Sequence, residues 1–350
     1  MNNKIIEQFE LLVYQTQMNS IKNENSWYDN VPNSKQSKFK LIAYKKALEA
    51  LRAIDFEITS IEDLNQIQNL GKSSLDKINE ILTTGVCSAI KTNTTSSKNI
   101  KKIKELKELQ RITGIGPAKA AKLFNDGGHT LESLLEMQEE GDDSLTDILT
   151  HHQLLGLKYL YDIEKRIPHK EIKCIETYLN KIAKDIDRDL QIVICGSYRR
   201  LAQTSGDIDV IFYHNQINGE KDLLNAKKYL ENIIKDLKKV RFLVDDLTIK
   251  GKTKYMGLCR LNSGPARRID IRFVPKDVLG SAMLYFTGSG DFNKNMRSFA
   301  LKKGYTINEY GIYYSKDNKK IPTKTEDDIF RTLGLEYVKP SDRKSEYIFK

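Results

Sequence analysis

The chain has 350 residues, 39% of them hydrophobic, and its 57 Lys and Arg against 47 Asp and Glu give a formal net charge of +10. No apolar run approaches the roughly 18 to 20 residues of a membrane-spanning helix, and residues 1–14 lack the pattern of a secretory signal, so we expect an intracellular protein of several domains. The positive charge favours a polyanionic partner, which is nucleic acid or, as the alternative, an anionic membrane surface.

Helical periodicity dominates the first half of the chain. Apolar residues recur at spacings of three and four over residues 1–90, and Gly85 provides a helix stop. Residues 91–99, KTNTTSSKN, are polar and aperiodic, which predicts a linker. Helical spacing returns over residues 100–167. We therefore predict a helical domain at 1–90, a linker, and a second helical subdomain at 100–167.

The second half has the pattern of a sheet with helices packed on it. Short apolar or alternating segments predict strands at 191–195, 207–213, 255–261 and 267–274. Helices are predicted between them, at 170–186 and 226–240. We assign these elements to one domain at 168–276, followed by a small α+β subdomain at 277–350. The predicted fold class is α+β and multidomain, with a mixed sheet after two helical N-terminal domains.

One segment, CGSYRRLAQTSGDIDVIF at residues 195–212, carries paired acidic residues. Asp207 and Asp209 are two residues apart, so on a strand they share one face. Asp270, in the predicted strand RRIDIRF, repeats the arrangement, so three carboxylates converge if the two strands are neighbours. Such a cluster needs cations to be stable. Its all-oxygen ligand set favours two Mg²⁺ ions, with Mn²⁺ as a substitute, over zinc.

Residues ahead of the acidic strand favour a phosphate ligand. Gly196 and Gly206 let the backbone come close to a phosphate, and Ser197 and Arg200 can donate to its oxygens. The segment therefore predicts a site for a nucleoside triphosphate and its metals. The alternative is a pair of exposed aspartates in a turn, or carboxylates that simply pair with nearby arginines.

With these residues in view, the chain resembles the family X DNA polymerases, most closely DNA polymerase β, within the nucleotidyltransferase superfamily. The similarity runs over nearly the whole length and is densest in four segments: CGSYRRLAQTSGDIDV, RRIDIRFVPKD, LYFTGSGDFNKNMRSFALKKGYTINEY and HHQLLGLKY. The resemblance implies a template-directed polymerase of base excision repair, which fills gaps by adding dNMP to a primer 3′-hydroxyl.

The resemblance also implies roles for single residues. Asp207 and Asp209 would bind both metal ions, while Asp270 would bind the catalytic ion and assist in deprotonating the primer 3′-hydroxyl. Lys294 and Arg297 would contact the template. The incoming nucleotide would be contacted by residues from three parts of the chain: Arg166, Gly196, Ser197, Arg200, Gly206, Tyr285, Phe286, Gly288 and Asn293.

A helix-hairpin-helix pattern lies ahead of these segments, in ITGIGPAKAAKLF at residues 112–124. Glycines such as Gly114 and Gly116 let backbone N–H groups face a DNA phosphate, a contact that does not depend on base sequence. The resemblance implies a monovalent cation, Na⁺ or K⁺, held by backbone carbonyls of Gln110, Ile112 and Ile115.

A degenerate counterpart, IQNLGKSSLDKI, lies in the first domain. By resemblance this domain is a 5′-deoxyribose-phosphate lyase, in which Lys77 forms a Schiff base with the abasic sugar and Lys40, Tyr44 and Lys72 contact DNA. A lysine attacks only when its amine is partly deprotonated, which the cations Lys40 and Lys72 would encourage. The alternative is that Lys77 is an ordinary surface lysine on a helix.

Three positions depart from the family pattern. Gly290 stands where DNA polymerase β has an aspartate that stacks on the incoming base, so we expect altered nucleotide affinity or selectivity. Asn69 and Ser73 replace a glycine and a lysine, which predicts a weaker 5′-phosphate pocket. Lys72, next to Ser73, could stand in for the missing lysine.

Two other functions stay open: a template-independent nucleotidyltransferase acting on nucleic-acid ends, and a non-catalytic scaffold of DNA repair. The helix-hairpin-helix and lyase-like layout argues against the first, and the three retained carboxylates argue against the second. The expected partners are gapped or nicked duplex DNA and a dNTP, with no membrane. We expect a monomer that works beside repair proteins such as a ligase, in a eukaryotic nucleus or, for a large DNA virus, in the host cytoplasm or virion.

Overall fold

The computed structural model describes residues 2–24, 34–90, 97–219, 222–248, 254–345 and 347–349. The chain divides into two compact units, Met1–Leu149 and Thr150–Lys350. Within the described ranges, every helix is too short or too polar to cross a membrane.

The first unit contains helices, as the spacing of its apolar residues predicts. Their bounds are α1 Asn3–Glu24, α2 Ser34–Ala53, α3 Lys72–Thr84, α4 Ser97–Leu109, α5 Pro117–Gly127, α6 Leu131–Glu140 and α7 Leu145–Ile148, with a 3-10 helix at Glu62–Leu64. Phe9, Leu51 and Ile78 join α1, α2 and α3 in one buried cluster. Helix α3 ends at Gly85, which takes the left-handed conformation with a φ of 79°.

Helix α4 begins inside the predicted linker at 91–99. Residues 91–96 of that linker lie outside the described part of the chain. The predicted domain boundary at 167 differs in place from the division between the two compact units, which falls after Leu149. The domain boundaries therefore stay a prediction.

The second unit is α+β. Its helices are α8 His151–Lys158, α9 Leu160–Glu164, α10 His169–Ile186, α11 Gly196–Arg199, α12 Leu223–Lys239, α13 Leu279–Thr287, α14 Gly290–Lys302 and α15 Glu326–Thr332, with 3-10 helices at Lys276–Val278 and Pro340–Asp342. Its strands are β1 Ile167–Pro168, β2 Leu190–Ile194, β3 Thr204–Ser205, β4 Ile208–His214, β5 Leu243–Asp246, β6 Lys254–Cys259, β7 Arg267–Phe273, β8 Tyr305–Asn308, β9 Gly311–Tyr314 and β10 Lys320–Ile321. The predicted α+β class is confirmed.

A five-stranded mixed sheet, ordered β2-β4-β7-β6-β5, forms the centre of this unit. The pairing of β4 with β7 is parallel, and the other three pairings are antiparallel. Alternate residues of both strands, such as Val210 and Ile271, are buried against α10 and α12. Because side chains alternate along a strand, the polar residues between them emerge on the opposite face.

A three-stranded antiparallel sheet, ordered β10-β9-β8, lies with α13, α14 and α15 in the last part of the chain. Phe292 and Met296 on α14 and Phe330 on α15 are buried together in its core. Since these apolar side chains occupy one face of α14, the residues on its other faces are available for contacts elsewhere.

Candidate active site

Two aspartates lie side by side at the centre of the mixed sheet. Asp209 on β4 and Asp270 on β7 are register partners in the parallel pairing. Their neighbours Ile208 and Ile269 turn into the buried core, so both carboxylates project from the opposite face. The condition under which the acidic residues were expected to converge, that the two strands are neighbours, is therefore met.

The third predicted carboxylate is held by an arginine. Asp207 lies just before β4, and its Oδ2 accepts a hydrogen bond from Nη2 of Arg268. Arg268 shares the face of Asp270 because the two are separated by one residue. Within the described ranges, the ligand oxygens of Asp207, Asp209 and Asp270 do not all lie within 4.8 Å of one another. The structure therefore pairs Asp207 with Arg268, the kind of pairing that the sequence left open, while the charge of Asp207 still lies close enough to raise the pKa of both Asp209 and Asp270.

The electrostatics of this pair favour a bound cation. Burial, with the nearby charges of Asp207 and Asp270, raises the pKa of Asp209 to about 7. Burial also raises the pKa of Asp270, against the opposing effect of Arg268. Oδ1 of Asp270 is buried and has no hydrogen-bond partner among the described residues. A divalent cation that prefers oxygen ligands would satisfy this oxygen and relieve the repulsion, so these residues fit such an ion.

We expect Asp209→Asn to stabilise the metal-free protein at pH 8. A folded-state pKa of about 7 lies above the ordinary 3.8 of an aspartate, so ionisation favours the unfolded chain, and the penalty grows as the pH rises from about 4 to about 7. Asparagine removes the charge, which should raise the free energy of unfolding by roughly 2–4 kcal/mol above pH 7 and by little near pH 4. Urea unfolding in EDTA at both pH values measures this.

Asp185→Asn, at an exposed position on α10, is the control and should change the stability little at either pH. Added Mg²⁺ should narrow the gap between wild type and Asp209→Asn, because a ligand that binds only the folded state stabilises it. A variant less stable than the wild type in EDTA at pH 8 would contradict this electrostatic account.

A glycine is required at position 196 by the acidic pair, the name used below for Asp209 and Asp270. Its φ of 58° lies in the left-handed region, and a Cβ there would overlap Oδ2 of Asp209. The neighbouring Cys195 N–H donates to the Asp209 carbonyl at 2.8 Å. From the sequence, this glycine is expected to approach a phosphate, whereas the structure shows its approach to a carboxylate. The phosphate contact stays a prediction.

If the site is catalytic, as the resemblance implies, Gly196→Ala is expected to lower the rate of primer extension by roughly 10- to 100-fold, because the methyl group displaces the Asp209 carboxylate and catalytic groups tolerate little misplacement. The matched control is Gly304→Ala, where φ is 82° but a Cβ meets nothing within 4 Å. Both glycines have a left-handed φ, so comparison of the two variants by steady-state extension of a primer isolates the effect of the overlap. Equal losses in the two variants would contradict this interpretation.

The predicted phosphate-binding residues lie around the turn between α11 and β4. The pairing of β1 with β3 sets Ile167 opposite Ser205. It brings Arg166 beside this turn, where its Nη2 donates to the Thr204 carbonyl at 2.8 Å. A Cβ at Gly206 would lie 3.0 Å from Nη1 of the same arginine. The hydroxyl of Ser197 donates to the Ser205 hydroxyl at 2.8 Å. The structure thus groups these residues beside Asp209.

Arg200 links this turn to the end of α13. Its Nη1 donates to the carbonyl of Thr287, and burial lowers its pKa, although the nearby charges of Asp209 and Asp207 oppose that shift. Gly288 follows with a φ of 66°, and a Cβ there would lie 3.3 Å from the same guanidinium nitrogen. The predicted nucleotide-contacting residues of the two segments are therefore neighbours.

Helices α13 and α14 hold the remaining predicted contacts. The rings of Tyr285 and Phe286 meet edge to face, with centroids 5.0 Å apart. Nδ2 of Asn293 donates to the Tyr285 carbonyl at 2.7 Å, and Nε of Arg297 donates to the Asn293 carbonyl at 3.3 Å. Lys294 pairs on the surface with Asp291. At the start of α14, Gly290 is exposed, and a Cβ there would meet nothing within 4 Å.

Family models match four successive stretches of this chain: a helix-hairpin-helix domain at 1–87, the fingers domain of DNA polymerase lambda at 107–164, the DNA polymerase beta palm at 166–276 and the DNA polymerase beta thumb at 282–344. DNA polymerase lambda of Arabidopsis thaliana is 32% identical over 321 residues, 86% of this chain and 57% of that protein. The chain belongs to the family X DNA polymerases. DNA polymerase lambda of Rattus norvegicus is 29% identical over 327 residues, 89% of this chain and 53% of that protein. The chain spans about half the length of these two relatives.

Within this family X chain, a buried charge network joins the palm to the thumb. Arg199 donates from both terminal nitrogens to Glu326, at 2.9 and 2.6 Å. Arg343, whose side chain is fully buried, donates to the same carboxylate at 2.7 Å. The hydroxyl of Tyr337 adds a fourth bond, at 3.2 Å. Sequence reasoning missed this network, because its partners are up to 127 residues apart and follow no periodic pattern.

The predicted lyase lysine lies on α3 of this family X chain. Nζ of Lys77 donates to the carbonyl and hydroxyl of Ser73, at 3.1 and 2.9 Å, and lies 5.5 Å from the ring centroid of the buried Tyr44. Lys40 and Lys72 are exposed. The structure thus groups Lys77 with Tyr44, and its assignment as the nucleophile stays a prediction.

The two departures from the family pattern in this region differ in their effect. Asn69 takes a left-handed φ of 68°, a conformation that glycine adopts freely and that asparagine tolerates better than most residues. The backbone turn is therefore kept. Ser73 supplies a hydroxyl that accepts a hydrogen bond from Lys77, so this replacement changes the surroundings of the lysine rather than the fold.

The helix-hairpin-helix of this family X chain has the predicted form. Gly114 is left-handed, with a φ of 90°, and α5 begins at Pro117 with Gly116 as its N-cap. The Ile115 N–H donates to the Ile112 carbonyl at 3.0 Å. A carbonyl has two lone pairs, so this bond leaves Ile112 able to bind a cation as well. The monovalent cation site, which also includes Gln110, stays a prediction.

A second group of potential metal ligands lies at the far end of β4 from Asp209. It consists of Asp187, Asp189 and His214, whose ligand atoms lie within 4.8 Å of one another. Nδ1 of His214 accepts a hydrogen bond from the Gln216 N–H at 3.1 Å, so in the neutral ring the proton resides on Nε2. That nitrogen lies 3.5 Å from Oδ2 of Asp187, which also accepts from the Tyr229 hydroxyl at 2.6 Å. Because a protonated nitrogen cannot ligate a metal, we interpret this group as a structural link between strand and helices.

Proposed function

We propose that the chain is a DNA-directed DNA polymerase of base excision repair that fills short gaps, adding dNMP to a primer 3′-hydroxyl as the template directs. The observation that carries the proposal is the adjacent pair Asp209 and Asp270. Their raised pKa values, and the buried Oδ1 of Asp270 that has no hydrogen-bond partner among the described residues, call for a cation. Arg200 and Ser197 beside it supply donors for a triphosphate. The family relationship supports the same reaction.

Asp209 and Asp270 would hold Mg²⁺, together with Asp207. Bound Mg²⁺ neutralises phosphate charge and makes the attacking hydroxyl more acidic. Asp270 would accept the proton of the 3′-hydroxyl, and Arg200 would orient the triphosphate. The new bond forms between the primer 3′-oxygen and the α-phosphorus, while the bond to pyrophosphate breaks.

The first unit would supply the second activity, removal of a 5′-deoxyribose phosphate. Lys77 would form a Schiff base with the sugar aldehyde at C1′, releasing water. Loss of a proton from C2′ would then break the C3′–O bond, so that the DNA strand leaves with a 5′-phosphate and the sugar phosphate stays on the lysine until water releases it. The support is local: Lys77 lies beside Tyr44 and Ser73, and the exposed Lys40 and Lys72 add positive charge to the same two helices.

The test of gap filling compares three DNA substrates: a one-nucleotide gap with a 5′-phosphate, the same gap without it, and an open primer–template. We expect kcat/KM to be highest on the phosphorylated gap, by roughly tenfold, because a single charge-assisted contact is worth about 1.5–3 kcal/mol. Lys72→Ala should reduce that preference and leave extension on the open substrate unchanged. Equal rates on all three substrates would reject gap filling and leave a polymerase without that specificity.

A further inference from the structure

An aromatic tail, which we define as Tyr347, Ile348 and Phe349, packs against α14. The ring centroids of Tyr347 and Phe349 lie 5.4 and 5.1 Å from that of Phe292. Phe349 also lies 5.8 Å from Phe299. Ile348 between them is 71% exposed, so the two rings contact the helix while the side chain between them faces solvent.

The tail contacts a specific face of α14. Nδ2 of Asn295 donates to the Tyr347 carbonyl at 2.9 Å, and Phe292 and Phe299 lie on the same face, since the three are separated by three and four residues. Asn293 and Arg297 lie roughly 100–140° around the helix from Phe292. The aromatic tail therefore supports α14 from a side other than the one that carries the predicted nucleotide and template contacts.

The aromatic tail follows a buried arginine, Arg343. The buried Arg343 donates to Glu326, which is bonded in turn to Arg199, the neighbour of Arg200. The Arg343 guanidinium lies 5.8 Å from the Phe292 ring centroid. Arg343 thus contacts both the Glu326–Arg199 network, which adjoins the predicted triphosphate ligand Arg200, and Phe292 on α14. The match to the polymerase beta thumb ends at residue 344, so the aromatic tail lies beyond the part of the chain that the thumb model describes.

We propose that Tyr347 and Phe349 are positioning residues for substrate binding: by packing on Phe292 and Phe299 they fix α14, and hence Asn293 and Arg297, relative to the incoming nucleotide. This inference rests on the proposed polymerase function. It assigns to the aromatic tail an effect on nucleotide affinity and little effect on the chemical step, because among the described residues neither ring is in direct contact with Asp209 or Asp270.

The test is the double variant Tyr347→Ala with Phe349→Ala, measured by steady-state filling of a one-nucleotide gap with the matched dNTP. We expect KM for the nucleotide to rise about tenfold while kcat stays within about threefold, as for a lost binding interaction. Ile348→Ala, in the same segment but exposed, is the matched control and should behave as wild type. Tyr347→Phe keeps the ring and should also behave as wild type.

Amide hydrogen exchange of residues 290–302 gives a second readout that needs no activity. We expect faster exchange in the double variant and wild-type exchange in Ile348→Ala. Unchanged KM and exchange in the folded double variant would overturn the proposal, as would an equal effect of Ile348→Ala. If the double variant does not fold, Phe349→Leu is measured by the same criteria. Faster exchange in the double variant, together with a wild-type protein that extends no primer, would reject the polymerase function but would still show that the aromatic tail stabilises α14.

Discussion

Asp270→Asn should lower primer extension by on the order of 10³-fold, because the variant can neither accept the proton of the 3′-hydroxyl nor supply a charged metal ligand. Asparagine keeps the size of the side chain, and the buried, unpartnered Oδ1 of Asp270 has no bond among the described residues to lose. Binding of gapped DNA should stay within about threefold of wild type, since phosphate contacts dominate that affinity. Single-turnover extension and fluorescence anisotropy measure the two quantities.

Asp189→Asn is the matched control for this experiment. Asp189 is an exposed carboxylate of the same subdomain, in the acidic group at the far end of β4, and its loss should leave extension near the wild-type rate. A large loss in Asp189→Asn with little loss in Asp270→Asn would move the catalytic site to that group. Loss of DNA binding together with extension in Asp270→Asn would indicate a folding defect instead.

Lys77→Ala should abolish borohydride trapping of the protein on incised abasic DNA, with a loss of at least about 100-fold, because only a Schiff base to the nucleophilic amine is reduced to a stable adduct. Gap filling on DNA without the sugar phosphate should continue, since the acidic pair lies in the other compact unit. Lys104→Ala, at an exposed position on α4, controls for general loss of positive charge. Gel quantification of the covalent adduct is the measurement.

Trapping at the wild-type level in Lys77→Ala would assign the Schiff base to another amine, with Lys72 as the next variant to test. Failure of the wild-type protein to be trapped, beside a known lyase that is trapped, would reject the lyase activity. Neither result bears on the acidic pair, so the two proposed activities are judged separately.

The two central strands of the sheet could be predicted from local periodicity in the sequence. Alternation in DIDVIFY and RRIDIRF placed β4 and β7 correctly to within about one residue, and it identified the face that carries Asp209 and Asp270. Strand β5, Leu243–Asp246, was not predicted, because two of its four residues are aspartates, which are depleted in strands. Its place at the sheet edge comes from pairing with β6, a contact that local sequence does not encode.

The electrostatics of the site could not be predicted in the same way. The sequence left both metal binding and arginine pairing open for the aspartates. Only the fold shows that Arg268 is beside Asp207, while Oδ1 of Asp270 has no hydrogen-bond partner in the described part of the chain. Gly196 was selected correctly but for another reason, since its crowding by Asp209 depends on the approach of two segments that are 13 residues apart. Distances of this kind follow from packing, which a motif does not specify.

Filling of a one-nucleotide gap with a 5′-phosphate, with Mg²⁺ and each dNTP offered singly against each template base, tests the central claim most directly. The structure and the family relationship predict one addition of the matched nucleotide and little of the other three. Addition that ignores the template would contradict the account and favour an enzyme that tails nucleic-acid ends. Binding of the gap without any addition would contradict it as well, and would leave a DNA-binding scaffold.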